Sequence, residues 1–132
     1  NQPDLALRDY DTALSIDPSY APAHLGRGLT YKQKGDLRKA LEDYNRAIAM
    51  QPNNAQGYYN RAMLYQSQRQ HQFAIEDFAI AIQLSPRESD PYLGRGLSYL
   101  AAGDLKSATA DLDNAVMLDE QNVAAWTSRP CS

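Results

Sequence analysis

With 132 residues, 43% of them hydrophobic and 22% charged, the chain has apolar material for one core and too much of it for a disordered tail. A formal net charge of −3 argues against nucleic acid or an anionic membrane as the main partner, and no apolar run is long enough to cross a bilayer. The one cysteine, Cys131, excludes an internal disulfide.

The chain opens at Asn1 with neither an initiator Met nor a signal peptide, as expected of a fragment or processed form, so localisation stays unassigned. The first helix is predicted over residues 3–15, before an outer turn at Pro18. A second follows over residues 22–34, with Leu25, Gly28, Leu29 and Tyr31 at helical spacing. Gly35 suits its C-terminal turn, and Asp36 offers an N-cap oxygen to a third helix over residues 37–50. Pro52 lies just past that end.

The plan then repeats. Helices are predicted over residues 55–68 and 71–84, joined by Arg69-Gln70, which lacks the Gly-Asp pair and is expected to turn more loosely. Pro86 marks the next outer turn. Helices over residues 90–102 and 105–118 flank Gly103-Asp104. The next outer position holds Glu120 in place of proline, and a short eighth helix is predicted over residues 123–128.

Behind this plan lies a fixed period. The stretch LGRGLTYKQKGD, residues 25–36, returns as LGRGLSYLAAGD 68 residues later, and YNRAMLYQSQRQ lies midway, so the period is 34. The resulting units are residues 21–54, 55–88 and 89–122, with a half-unit over 1–20 and a stub over 123–132. Small residues share columns: Gly28, Ala62 and Gly96; Ala40, Ala74 and Ala108; Ala47, Ala81 and Ala115. Tyr31, Tyr65 and Tyr99, and Tyr44, Phe78 and Leu112, form large columns between layers. One helix pair cannot bury its faces alone, so stacked neighbours must share a core.

Two charge columns keep the same period: Arg27, Arg61, Arg95 and Arg129, and Asp9, Asp43, Asp77 and Asp111. They suggest a ladder of guanidinium–carboxylate pairs. The expected rungs join neighbouring units: Asp9–Arg27, Asp43–Arg61, Asp77–Arg95 and Asp111–Arg129. The alternative pairs Arg27 with Asp43 inside one unit, and likewise onward.

No catalytic or metal constellation emerges. His24 and His71 lie 47 residues apart with no HxxxH, HExxH or CxxC spacing. Cys131, near the chain's end, is a poor nucleophile candidate. The GRG triplets at residues 26–28 and 94–96 fall inside predicted helices, not between a strand and a helix, so they read as packing glycines. Lys32, Lys34, Arg38 and Lys39 form a basic patch that reads as solvated helix ends. The expectation is no enzyme, no cofactor and no metal.

The columns resemble the tetratricopeptide repeat. The residues that carry the resemblance are the large side chains His24, Tyr58, Tyr92 and Trp126, the small ones Gly28, Ala62 and Gly96, the tyrosines Tyr31, Tyr65 and Tyr99, Gly35 and Gly103, the alanine columns, and Pro52 and Pro86. Pentatricopeptide repeats, which read RNA, tend to be basic, unlike this chain. His24 and the arginine column depart from the family pattern, and Pro130 falls in a close-packing column.

The resemblance implies an all-α, right-handed α-solenoid of antiparallel helix pairs, with first helices lining a concave groove. Carried over, the groove positions are Pro22, Leu25, Gly26, Leu29, Lys32 and Gln33; then Gln56, Tyr59, Asn60, Met63, Gln66 and Ser67; then Asp90, Leu93, Gly94, Leu97, Leu100 and Ala101. Some family members clamp acidic chaperone tails with Lys, Asn and Arg. Those places here hold Leu25, Leu29, Asn60, Asp90 and Gly94, and only Asn60 matches. The implied function is a scaffold or adaptor binding a protein or peptide through apolar anchors. Its expected contact residues are Leu25, Leu29, Gln56, Tyr59, Asn60, Met63, Leu93, Leu97 and Leu100. The alternative is self-assembly through the groove or open solenoid ends, as a weak homo-oligomer. Nucleic acid and membrane insertion are not expected.

Overall fold

The computed structural model describes residues 2–127, with side chains through residue 120. Seven helices fill them: α1 (Gln2–Ile16), α2 (Ala21–Gln33), α3 (Leu37–Met50), α4 (Ala55–Ser67), α5 (His71–Leu84), α6 (Ser89–Ala102) and α7 (Leu105–Thr127). No strand occurs among the described residues. The chain is an all-α solenoid of helix pairs.

Each inner turn closes through a left-handed residue. Gly35 has φ 88° and Gly103 φ 90°, where glycine meets no Cβ penalty. Arg69 takes the same conformation at φ 62°. The residue after each donates its backbone N–H to a tyrosine carbonyl five residues back: Asp36 to Tyr31, Gln70 to Tyr65 and Asp104 to Tyr99, all at 2.9 Å. The middle turn is therefore no looser than the others. What it lacks is a cap. Asp36 and Asp104 accept the amides of Lys39 and Ser107 at 3.2 Å, whereas Gln70 makes no side-chain cap bond.

Pro18, Pro52 and Pro86 sit in the three outer turns. At Glu120, the fourth such place, nothing withdraws a backbone N–H or clashes with the preceding turn, and the helix continues. A separate eighth helix is thus not formed: residues 123–127 prolong α7. Arg129, Pro130 and Cys131 lie outside the described residues, as does the side chain of Trp126.

Helices pair as α2 with α3, α4 with α5 and α6 with α7, and α3 and α5 pack onto the following pair. The first helices also touch one another, α2 with α4 and α4 with α6. Among the described residues, the second helices α1, α3, α5 and α7 do not. First helices therefore line the inner, concave side and second helices spread along the outer one. Between them lie two fully buried clusters, Ala40–Tyr44–Leu64 and Ala62–Ala74–Phe78. The small columns permit the close approach. A Cβ on Gly28 would enter the Tyr44 ring, and one on Gly96 would crowd the Leu112 side chain.

The charge ladder forms inside units, not between them as the expected pairing had it. Arg27 donates to both oxygens of Asp43, Nε to Oδ2 at 2.9 Å and Nη2 to Oδ1 at 2.8 Å. Arg61 does the same to Asp77 at 2.7 and 2.8 Å, and Arg95 to Asp111 at 2.7 and 2.8 Å. The three carboxylates are buried. Tight packing of the two helices within a unit, rather than the seam between units, brings these groups together. The expected Asp111–Arg129 rung lies outside the described residues. Links between units do exist, but through other acceptors: Arg27 Nη1 reaches Asp11, and Arg61 Nη1 reaches Asn45, both at 2.9 Å. The corresponding residue for Arg95 is Ala79, which has no acceptor.

Candidate interaction surface

The nine expected contact residues divide by exposure. Leu29 on α2 and Leu93, Leu97 and Leu100 on α6 are 43%, 45%, 45% and 47% exposed. Steps of three and four residues set the α6 leucines on one helix face. Gln56 is also exposed, and its Nε2 donates to Asn60 Oδ1 at 2.8 Å. Leu25, Tyr59, Asn60 and Met63 are half-buried. Leu25 rests on the Ala40–Tyr44–Leu64 cluster. Tyr59 and Met63 rest on the Phe78 cluster, with the Tyr59 and Phe78 rings edge to face at 5.8 Å. These three side chains thus serve the core as well as the concave surface.

Other carried-over positions are occupied by architecture. Gly94 is filled by Phe78 and Gly26 by Tyr10. Gln66 Nε2 donates to the Gly94 carbonyl and to Ser98 Oγ, each at 2.8 Å. It is a strut between α4 and α6, and Ser98, fully buried, is a partner the sequence reading missed. Lys32 is half-buried on α2, and burial pushes its ammonium below its ordinary value.

At the seam between the second and third units lies a cleft of about 350 Å³, lined by residues that include Asn54, Gln56, Tyr59, Ser85, Glu88 and Asp90. Burial pushes the Tyr59 phenol up, and the Asp90 carboxylate adds to it. The surface as a whole combines leucine side chains with amide and phenol groups. Such a set makes apolar contacts and hydrogen bonds to backbone. No group of His, Cys, Asp and Glu able to hold a metal occurs among the described residues.

A role the sequence reading also missed belongs to the column of His24, Tyr58 and Tyr92. Tyr58 donates its hydroxyl to the Pro52 carbonyl at 2.9 Å, and Tyr92 to the Pro86 carbonyl at 3.1 Å. His24 Nε2 stands 2.9 Å from the Pro18 carbonyl. The shared feature is a polar tip on a large side chain, six residues after an outer-turn proline. That spacing is visible in the sequence.

Comparison with known proteins agrees with this architecture. A family model described as TPR repeat matches residues 1–35 and 28–68, and one described as tetratricopeptide repeat matches residues 55–88. Among solved structures, a crystal structure of MamA superposes with a TM-score of 0.85 at 25% identity, covering 92% of this chain and 71% of that one. The second TPR of Spaghetti (RPAP3), bound to HSP90 peptide SRMEEVD, superposes at 0.72 with 31% identity, covering 74% of this chain and 91% of that one. MamA 41-end from Desulfovibrio magneticus RS-1, 22% identical, shares the fold at a TM-score of 0.82, covering 91% and 68%. No curated protein sequence gives a significant match. No helix among the described residues is long and apolar enough to cross a membrane. Matched by these models over residues 1–88, with helix pairs and a shared core to fit, the chain belongs to the tetratricopeptide repeat family.

Proposed function

We propose that this protein–protein interaction module holds a peptide segment with apolar anchors on the concave side of the solenoid. Its repeats are residues 21–54, 55–88 and 89–122, flanked by a half-repeat over 1–20 and a stub over 123–132. The observation that carries the reading is the row of exposed leucines on first helices, Leu29, Leu93, Leu97 and Leu100. Exposed apolar surface on a concave face marks an interaction site. Leu25, Tyr59 and Met63 extend it with half-buried walls, and Gln56 and Asn60 supply groups that bond peptide backbone. It is a binding module without catalysis or cofactor.

The RPAP3 repeat is bound to an HSP90 peptide with an acidic end. The ligand proposed here differs in chemistry. Where the family's clamp places cations and amides, this chain has Leu25, Leu29, Asn60, Asp90 and Gly94. Asp90 repels a carboxylate, and Gly94 is closed by Phe78. The net charge of −3 likewise disfavours nucleic acid. Selection from a displayed random-peptide library tests this, with Leu29→Asp/Leu97→Asp as counter-target. Enrichment of peptides with spaced apolar residues that the variant fails to retain supports the reading. Enrichment of acidic C-termini overturns it.

A second reading, self-assembly, is favoured by Leu105, Val116 and Met117 on α7, which are 64%, 57% and 47% exposed. Mass that rises with concentration, and falls back in Val116→Asp/Met117→Asp, selects it. A constant monomer mass excludes it.

A further inference from the structure

His24 is only 5% exposed, and both its ring nitrogens are engaged. Nε2 lies 2.9 Å from the Pro18 carbonyl oxygen. A carbonyl only accepts, so Nε2 must carry a hydrogen. Nδ1 lies 3.2 Å from Asp43 Oδ1. The Asp43 carboxylate already accepts from Arg27 at both oxygens, the pattern of an ionised group. It too can only accept. A neutral imidazole has one N–H and one lone pair, so either tautomer turns a lone pair onto an oxygen. Only the imidazolium satisfies both contacts.

We propose that His24 is held in the folded chain as a doubly protonated clasp between the Pro18 turn and Asp43. Tyr58 and Tyr92 hold the corresponding turns through one neutral hydroxyl each, so the device belongs to the first repeat alone among the three. The surrounding charges come from three helices. Arg27 lies on α2 itself. From α3 come Asp43 and Arg46, whose Nη1 is 3.5 Å from Asp43 Oδ1. From α1, Asp11 binds Arg27 at 2.9 Å. Among the described residues no charged side chain of α4 bonds to His24, Arg27 or Asp43. The two guanidiniums oppose a third cation. Asp11 offsets part of that charge, and Asp43 meets the imidazole directly.

Loss of the proton leaves Nε2–H on the Pro18 carbonyl, as in the tyrosine repeats, and turns a lone pair toward Asp43.

Nitrogen-15 spectra of labelled histidine in the intact chain test this at pH 7.0, with His71→Gln to assign the only other histidine. Both His24 nitrogens are expected to carry hydrogens in the folded chain. One protonated and one bare nitrogen in the folded chain would overturn the proposal.

Discussion

The Arg61 guanidinium and the Asp77 carboxylate meet edge to edge inside one helix pair, Nε on Oδ2 at 2.7 Å and Nη2 on Oδ1 at 2.8 Å. Asp77 is 4% exposed, so water competes little for it. Removing either partner strands the other, and a double-mutant cycle isolates the pair from that loss. Arg61→Ala with Asp77→Ala should show a coupling of about 1–3 kcal/mol in chemical unfolding. Arg61→Ala with Asp43→Ala should be additive, because Asp43 belongs to Arg27.

Arg69 holds φ 62° where the other two inner turns have glycine. A side chain in that conformation costs about 1 kcal/mol or more. Arg69 is exposed and makes no side-chain ion pair or hydrogen bond among the described residues, so its loss removes little else. Arg69→Gly should raise stability by about 1 kcal/mol in urea unfolding, with an unchanged slope.

Tyr44 is fully buried, and its hydroxyl has no hydrogen-bond partner. Its neighbour in the column is Phe78, which does the same packing without oxygen. Burial, aided by the Asp43 charge, pushes the phenol up to about 12. The folded chain thus holds the phenolic proton more tightly than the unfolded one. That stability is present below pH of about 10 and is lost as pH rises toward 12. Tyr44→Phe should be neutral or stabilising by up to about 1 kcal/mol at pH 7. It should also flatten the alkaline limb of stability against pH, read by fluorescence or circular dichroism.

Gly94 faces the Phe78 ring with no room for a Cβ. Gly94→Ala should destabilise by about 1–3 kcal/mol through overpacking, and Phe78→Leu in the same chain should recover part of that. At Gly103 nothing lies within contact of a Cβ, but φ is 90°, so Gly103→Ala should cost stability that no neighbouring substitution recovers. Thermal melts of the three variants check both statements.

What the sequence made legible follows from what a fixed period encodes. Columns such as Ala40, Ala74 and Ala108 repeat because each helix pair meets the next in the same way, so helices and turns could be placed by register alone. Ladder partners could not. An Asp follows one Arg by 16 residues and precedes the next by 18, and only three-dimensional packing separates those choices. Nor could the last helix, because Glu120 removes a stop signal without stating what replaces it. The exposed face of the first helices was legible where exposure follows helix register, as at Leu93, Leu97 and Leu100. It was blurred on α4, where Tyr59 and Met63 share the Phe78 cluster with the core. His24 looked like an anomaly in an aromatic column until its hydrogen bond to the Pro18 carbonyl revealed the shared role.

Backbone amide mapping with a selected peptide tests the concave binding surface most directly. Titrating an apolar-anchored peptide into nitrogen-15-labelled chain should shift the amides around Leu29, Met63, Leu93, Leu97 and Leu100 most, with the α3 and α5 surfaces unmoved. Shifts centred instead on exposed outer residues such as Phe73 and Ile80 of α5, with the first helices silent, would contradict it.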